Sequence, residues 1–195
     1  MRWDRLFADL EGQAEVLAQA ERAAEVETRT RGESAQLGLV DRLRAALGAP
    51  LRLGVSGGVT VSGTLTRVGP DWLLLDEGAG REVLVVAGQL LGVRGLGRHS
   101  AVPGTAGVLE SRLGLRHVLR GIARDRSAVR LHLAANIAGH RAALESLTVD
   151  ATIDRVGADF IEVATHSAGE VRRRGDVRDV ELIPIAAIAA IRRSV

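Results

Sequence analysis

A thirteen-residue block occurs twice in this chain, 88 positions apart. Val61-Ser62-Gly63-Thr64-Leu65-Thr66-Arg67-Val68-Gly69-Pro70-Asp71-Trp72-Leu73 matches Val149-Asp150-Ala151-Thr152-Ile153-Asp154-Arg155-Val156-Gly157-Ala158-Asp159-Phe160-Ile161. Val, Thr, Arg, Val, Gly and Asp recur unchanged, Ile stands for Leu, and Phe stands for Trp. A second match lies 98 positions apart. Leu84-Val85-Val86 resembles Leu182-Ile183-Pro184, and Leu90, Val93 and Arg94 fall on Ile188, Ile191 and Arg192. The later copy is therefore longer, in the hairpin from His166 to Asp179, and it also has extra residues from about Ala134 to Ser146. Each copy is the size of a small domain, so the pattern predicts a tandem duplication rather than a solenoid. A chain of 195 residues is long enough for two such domains.

Hydrophobic periodicity gives the content of each copy. Trp3, Phe7, Leu10, Ala14 and Leu17, with Leu6 beside them, recur at helical spacing and predict an N-terminal amphipathic helix. Its apolar stripe is expected to pack across the tandem unit or to pair in a homodimer. Thr30-Arg31-Gly32-Glu33 has the spacing of a capping box. A second helix follows, with Leu39, Val40, Leu43, Ala46 and Leu47 on one face, ended by Gly48 and Pro50. From Leu51 the period becomes two. Strands are expected at Leu51–Val55, Val59–Val68, Trp72–Leu75, Val83–Val86 and Leu90–Val93, separated by Gly-rich or Pro-containing turns. Gly97 to Gly107 reads as a linker. A third helix is expected from about Leu109, with Leu115, Val118, Leu119 and Ile122 on one face, followed by alternation at Val129, Leu131 and Leu133. Trp72 and Phe160 both follow a turn and open an apolar run, so both are expected in the core.

The order of a helix and five short strands resembles the Sm-like fold, over residues 36–95 and more loosely over 108–193. Gly63-Thr64-Leu65 is similar to that family's second-strand pattern, and Val93-Arg94-Gly95 is similar to its second motif. The turn before the third strand lacks the family's Asn, and the second copy ends Ile191-Arg192-Arg193 without the Gly. The chain also resembles an uncharacterised group of actinobacterial proteins with two such units. The resemblance implies a mainly β chain with helices (α+β): two tandem small Sm-like or SH3-like β-barrels, each preceded by a helix. Its expected divisions are 1–32 for the N-terminal helix, 33–97 for the first barrel, 98–107 for the linker and 108–195 for the second barrel. It also implies that Arg94 sits near the RNA-binding side of an Sm ring.

Chemistry-bearing motifs are sparse. The chain has no Cys, which excludes disulfides and thiolate catalysis. His99, His117, His132, His140 and His166 show no helical metal-ligand spacing, so no metal or cofactor is expected. Gly54-Val55-Ser56-Gly57-Gly58 spells Gly-x-Ser-x-Gly, but a nucleophile elbow needs a helix after the Ser, and period-two alternation follows here. No enzymatic activity is expected, and Asp71 and Asp159 are read as turn caps.

Arginine is what remains. The sequence pI is about 10.6 although the formal net charge is only +2. With no Lys and no Tyr, nothing titrates between neutrality and Arg, so the high pI reflects composition rather than a large basic excess. Two clusters stand out all the same. Arg112, Arg116, Arg120 and Arg124 form one stripe on the third helix, and Arg172, Arg173, Arg174 and Arg178 crowd the second copy's hairpin. With Arg94 they are the candidate nucleic-acid or anion contacts. Few aromatics are present to stack bases, which argues against sequence-specific single-strand recognition. No span of about 20 apolar residues predicts a membrane helix, and no secretory signal is read at the N-terminus. The expected role is a cytoplasmic interaction or scaffold protein, with a protein partner or self-association and RNA as candidate contacts.

Overall fold

The computed structural model describes residues 38–97, 113–134, 148–165 and 179–193. The expected N-terminal helix, Arg112, the Arg172–Arg174 cluster, Arg178, His99, His140 and His166 lie outside the described residues, as do the expected linker and both insertions of the second copy apart from their boundary residues Ala134 and Asp179. The chain divides into two compact units, Met1–Gly38 and Leu39–Val195, and the elements that follow belong to the second.

Ten strands and two α-helices are described. In the first half, α1 (Leu39–Arg44) precedes β1 (Pro50–Val55), β2 (Val59–Val68), β3 (Trp72–Gly78), β4 (Arg81–Val86) and β5 (Leu90–Arg94). In the second, α2 (Leu115–Asp125) precedes β6 (Ala128–Leu133), β7 (Thr148–Val156), β8 (Phe160–Thr165), β9 (Asp179–Pro184) and β10 (Ile188–Arg193). A single 3-10 turn joins β1 to β2 at Ser56–Gly58, β4 to β5 at Ala87–Gln89, and β9 to β10 at Ile185–Ala187.

The strands form one open antiparallel sheet in the order β5-β1-β2-β3-β4-β10-β6-β7-β8-β9. Two tandem small barrels, each closed or nearly closed, were expected, and the described strands instead run on as one sheet that does not close. The last strand of the second half pairs with the fourth strand of the first, Leu84 opposite Ile191, and makes the sheet continuous. Within each half the order is the same. Leu53 pairs with Val93 as Leu131 pairs with Ile191, and Leu73 pairs with Val85 as Ile161 pairs with Ile183. The register slips at matching places, after Leu65 in β2 and after Ile153 in β7.

Alternation along the strands fills two apolar clusters. One gathers Leu43, Leu53, Val61, Leu65, Leu73 and Leu75, and the other Leu119, Leu131, Ile153, Ile161, Val163 and Ile183. The clusters exchange residues across the joint. Ala189 and Ala190 of β10 pack into the first, whereas Trp72 and Leu84 pack into the second. The turn at Gly57 also approaches the second half, and a Cβ there would overlap the Leu133 carbonyl.

The helices differ from expectation in extent. Helix α2 begins at Leu115, not near Leu109, and buries Leu115 and Leu119. Helix α1 buries Leu43, but Leu39 and Leu47 of its expected apolar face are exposed. The larger difference concerns the paired aromatics. Trp72 is buried, whereas Phe160 is exposed. Both rings lie against a glycine, Gly69 or Gly157, where a Cβ would overlap the ring. Only Trp72 is also covered by the chain leading into α2. Its Nε1–H donates to the Leu113 carbonyl at 2.6 Å.

Candidate anion site and the joint between the halves

Two arginines face each other at the same place in each half. Arg52 on β1 lies opposite Arg94 on β5, and Arg130 on β6 lies opposite Arg192 on β10. Like charges directly opposite on a ladder repel, so each pair needs anionic neighbours. The second half supplies them. Asp150, the cross-strand neighbour of Arg130, accepts from its Nε at 2.8 Å and from its NH2 at 3.1 Å. Glu77 at the end of β3 reaches across the joint and accepts from Arg192 Nε and NH2, both at 2.9 Å. Two-pronged contacts of this kind are the strong form of the arginine–carboxylate pair.

His132 completes this cluster. Arg192 donates to its Nε2 at 2.7 Å. A guanidinium has no acceptor, so the ring must be neutral at that nitrogen. Burial, with the Arg192 and Arg130 guanidiniums beside it, holds the His132 pKa below its ordinary 6.5. The hydrogen bonds from Arg192 likewise hold the Glu77 carboxyl below its ordinary 4.5.

In the first half the same geometry lacks both acids. Ser62 stands opposite Arg52 where Asp150 stands opposite Arg130. No strand lies beyond β5 among the described residues, so nothing there corresponds to Glu77. Among the described residues neither Arg52 nor Arg94 has a carboxylate partner. Both are exposed and line a depression of ≈ 500 Å³ with Leu53, Gly54, Thr60 and Gly92. Gly54 takes the place that His132 fills in the second half. The result is an open site lined by two cross-strand arginines, with no acid among the described residues of its lining.

The helix stripe lies elsewhere. Arg116, Arg120 and Arg124 are exposed on α2. Arg120 and Arg124, with Arg67, Arg193 and His117, line a second cleft of ≈ 730 Å³ that also contains Glu82 and Asp125. Arg94 lines the first depression and not that cleft, and Arg116 is in the lining of neither. Asp71, expected to cap its own turn, instead serves the start of α2 with its side chain. Its Oδ1 accepts from the Leu115 N–H at 2.8 Å. Ser56 sits in the 3-10 turn, and β2 rather than an α-helix follows it. Among the described residues no group of His, Asp and Glu is arranged to hold a metal ion. No described helix is long and apolar enough to cross a membrane.

Sequence reasoning missed Arg52, Glu77 and Asp150. It also missed a third recurrence, which was legible. Leu37-Gly38-Leu39 with Leu43-Arg44 reappears as Leu113-Gly114-Leu115 with Leu119-Arg120, 76 positions on. A scan against protein-family models and a search of the curated proteins found no match to this chain.

Proposed function

We propose that this chain is a non-enzymatic, cytoplasmic interaction protein built as a tandem pair of Sm-like barrels, and that it holds backbone phosphates of RNA between Arg52 and Arg94. The observation that carries the reading is the contrast between the two arginine pairs. Arg130 and Arg192 each hold a carboxylate, whereas among the described residues Arg52 and Arg94, opposite each other, have none. A phosphate supplies the missing charge and accepts from both guanidinium forks. The scarcity of aromatic side chains, 2% of the chain, favours backbone over base recognition.

The test is fluorescence anisotropy with a labelled single-stranded RNA, titrated at several salt concentrations. The Arg52→Gln/Arg94→Gln variant should bind at least about tenfold more weakly, and its log–log salt slope should be shallower by about 1.4, two contacts at about 0.7 each. Both side chains are exposed, so the variant should keep the wild-type fold. Unchanged affinity and slope in that variant would overturn the reading. Loss of binding in Arg120→Gln/Arg124→Gln alone would move the site to the α2 cleft.

A further inference from the structure

One row of side chains crosses the joint on a single face of the sheet. Arg67 on β2 stands opposite Leu74 on β3, Leu74 opposite Leu84 on β4, and Leu84 opposite Ile191 on β10. Residues opposite each other on neighbouring strands share a face, so an arginine heads a run of three apolar side chains drawn from both halves. Helix α2 supplies another wall of the cleft that this row lines. Its Val118 and Ile122 are only half-buried, as is Leu74. The cleft's ≈ 730 Å³ falls within the range of about 300–1,000 Å³ found for small-molecule sites.

The helix wall is kept open by a glycine. Gly121 stands in the middle of α2 and lines the cleft. Glycine inside a helix is less stable than alanine, and no neighbour requires it here, because a Cβ would meet nothing within 4 Å. By the 76-residue recurrence its counterpart is Ala45. What the glycine preserves is open space.

Charge around the cleft is unbalanced. The exposed Arg67, Arg120, Arg124 and Arg193 share the lining with only two acids, Glu82 and Asp125. Among the described residues none of these four arginines forms an ion pair. The repeat shows the alternative. Arg155, the counterpart of Arg67, stands opposite Glu162 and pairs with it at 3.9 Å. The counterpart of Glu162 is Leu74, so the first half carries apolar surface where the second carries the acid.

We infer that this cleft binds an amphiphilic anion, its apolar body lying along Leu74, Val118 and Ile122 and its carboxylate or phosphate held by the surrounding arginines. Arginine forks suit either head group. A bare phosphate leaves the apolar run in water, and a neutral chain leaves the arginines unpaired. A molecule with both parts satisfies the whole lining. The cleft shares no residue with the depression at Arg52 and Arg94, so the inference stands whether or not RNA binds there.

Isothermal titration calorimetry of the full chain provides the test, with every probe below its micelle-forming concentration. Laurate and dodecyl phosphate carry one chain length with the two head groups. Dodecyltrimethylammonium carries it with the opposite charge, and acetate and inorganic phosphate are the heads alone. Laurate or dodecyl phosphate should bind as one molecule per chain, at least about tenfold more tightly than the cation or either chainless anion. The tighter of the two identifies the head group. Gly121→Leu grows a side chain into the cleft and improves the helix. It should weaken that binding by about tenfold or more, while the urea midpoint holds or rises. Arg120→Gln/Arg124→Gln should lower the anion's affinity to that of the cation and leave the midpoint unchanged. The inference is overturned if neither laurate nor dodecyl phosphate binds, if the cation binds as tightly, or if inorganic phosphate alone does. It is equally overturned if either variant binds as wild type does.

Discussion

The two halves carry the same strand order but present opposite surfaces, and the difference comes from which joint each has made. In the first half, Trp72 and Leu84 are buried by the second half, while β5 is left as a terminal strand. In the second half, Ala189 and Ala190 are buried in the core of the first, while Phe160 and Leu182 are exposed. Equivalent positions therefore do not have equivalent environments. Burial in a repeated chain is a property of the neighbour as much as of the sequence, because a terminal strand has no neighbour to exclude water from it.

The largest effect that would break or sharpen this comparison is at the aromatic pair. Trp72→Ala removes a buried ring and its hydrogen bond to Leu113, and should destabilise by about 3–5 kcal/mol in urea unfolding. Phe160→Ala removes a ring already more than a third exposed, and should cost only about 1 kcal/mol. Equal losses would mean that Phe160 is covered in solution. Repeating the Phe160→Ala measurement across protein concentration then separates cover by a second copy from cover within the chain, because only the first is concentration-dependent.

The arginine pairs come next. Arg192→Gln strips Glu77 of its two-pronged partner at a partly buried site, with an expected cost of about 1–2 kcal/mol. Arg94→Gln breaks no carboxylate contact among the described residues and relieves the repulsion with Arg52, so its effect should lie within about 0.5 kcal/mol of zero or be slightly stabilising. Chemical denaturation of both variants in parallel checks the pair. A destabilised Arg94→Gln would show that Arg94 has a partner in the free protein.

What the sequence could show is set by the range of each signal. The Val-Gly-x-Asp-aromatic block located the turns before β3 and β8, because a turn is a local property of a few residues. Period-two alternation likewise located β1 and β2, and short apolar runs between turns located β3 to β5. The joint was not legible, because Leu84 and Leu182 look alike in sequence and differ only in what pairs with them. For the same reason Phe160 was expected to be buried. Arg94 was singled out from its resemblance to an Sm motif, whereas Arg52 and Glu77 drew no notice. Their importance lies in cross-strand register and in a contact between residues 77 and 192. The Leu-Gly-Leu recurrence was within reach of a repeat search, and it pairs α1 with α2 independently of the strands.

The smallest effect tests the joint through pH. His132 faces Arg130 and Arg192 on one side of its charge balance and Glu77 and Asp150 on the other, and its pKa in the folded protein is depressed below 6.5. A depressed folded pKa means that the folded state resists protonation more than the unfolded chain does. Its contribution to stability is therefore complete above pH 6.5 and is lost as pH falls through the folded value. Glu77 acts in the same direction, but only below 4.5. The two windows do not overlap at their upper limits, so a decline beginning near 6.5 belongs to histidine. The informative quantity is the difference between wild type and His132→Gln. Wild type should lose stability from pH 7.5 to 5.5 by more than the variant does, read as the shift in urea midpoint at each pH. Gly54 occupies the corresponding place in the first half and cannot titrate, so the effect should come from the joint alone. Parallel pH profiles for wild type and His132→Gln would show that the contact between Arg192 and His132 is not maintained in solution.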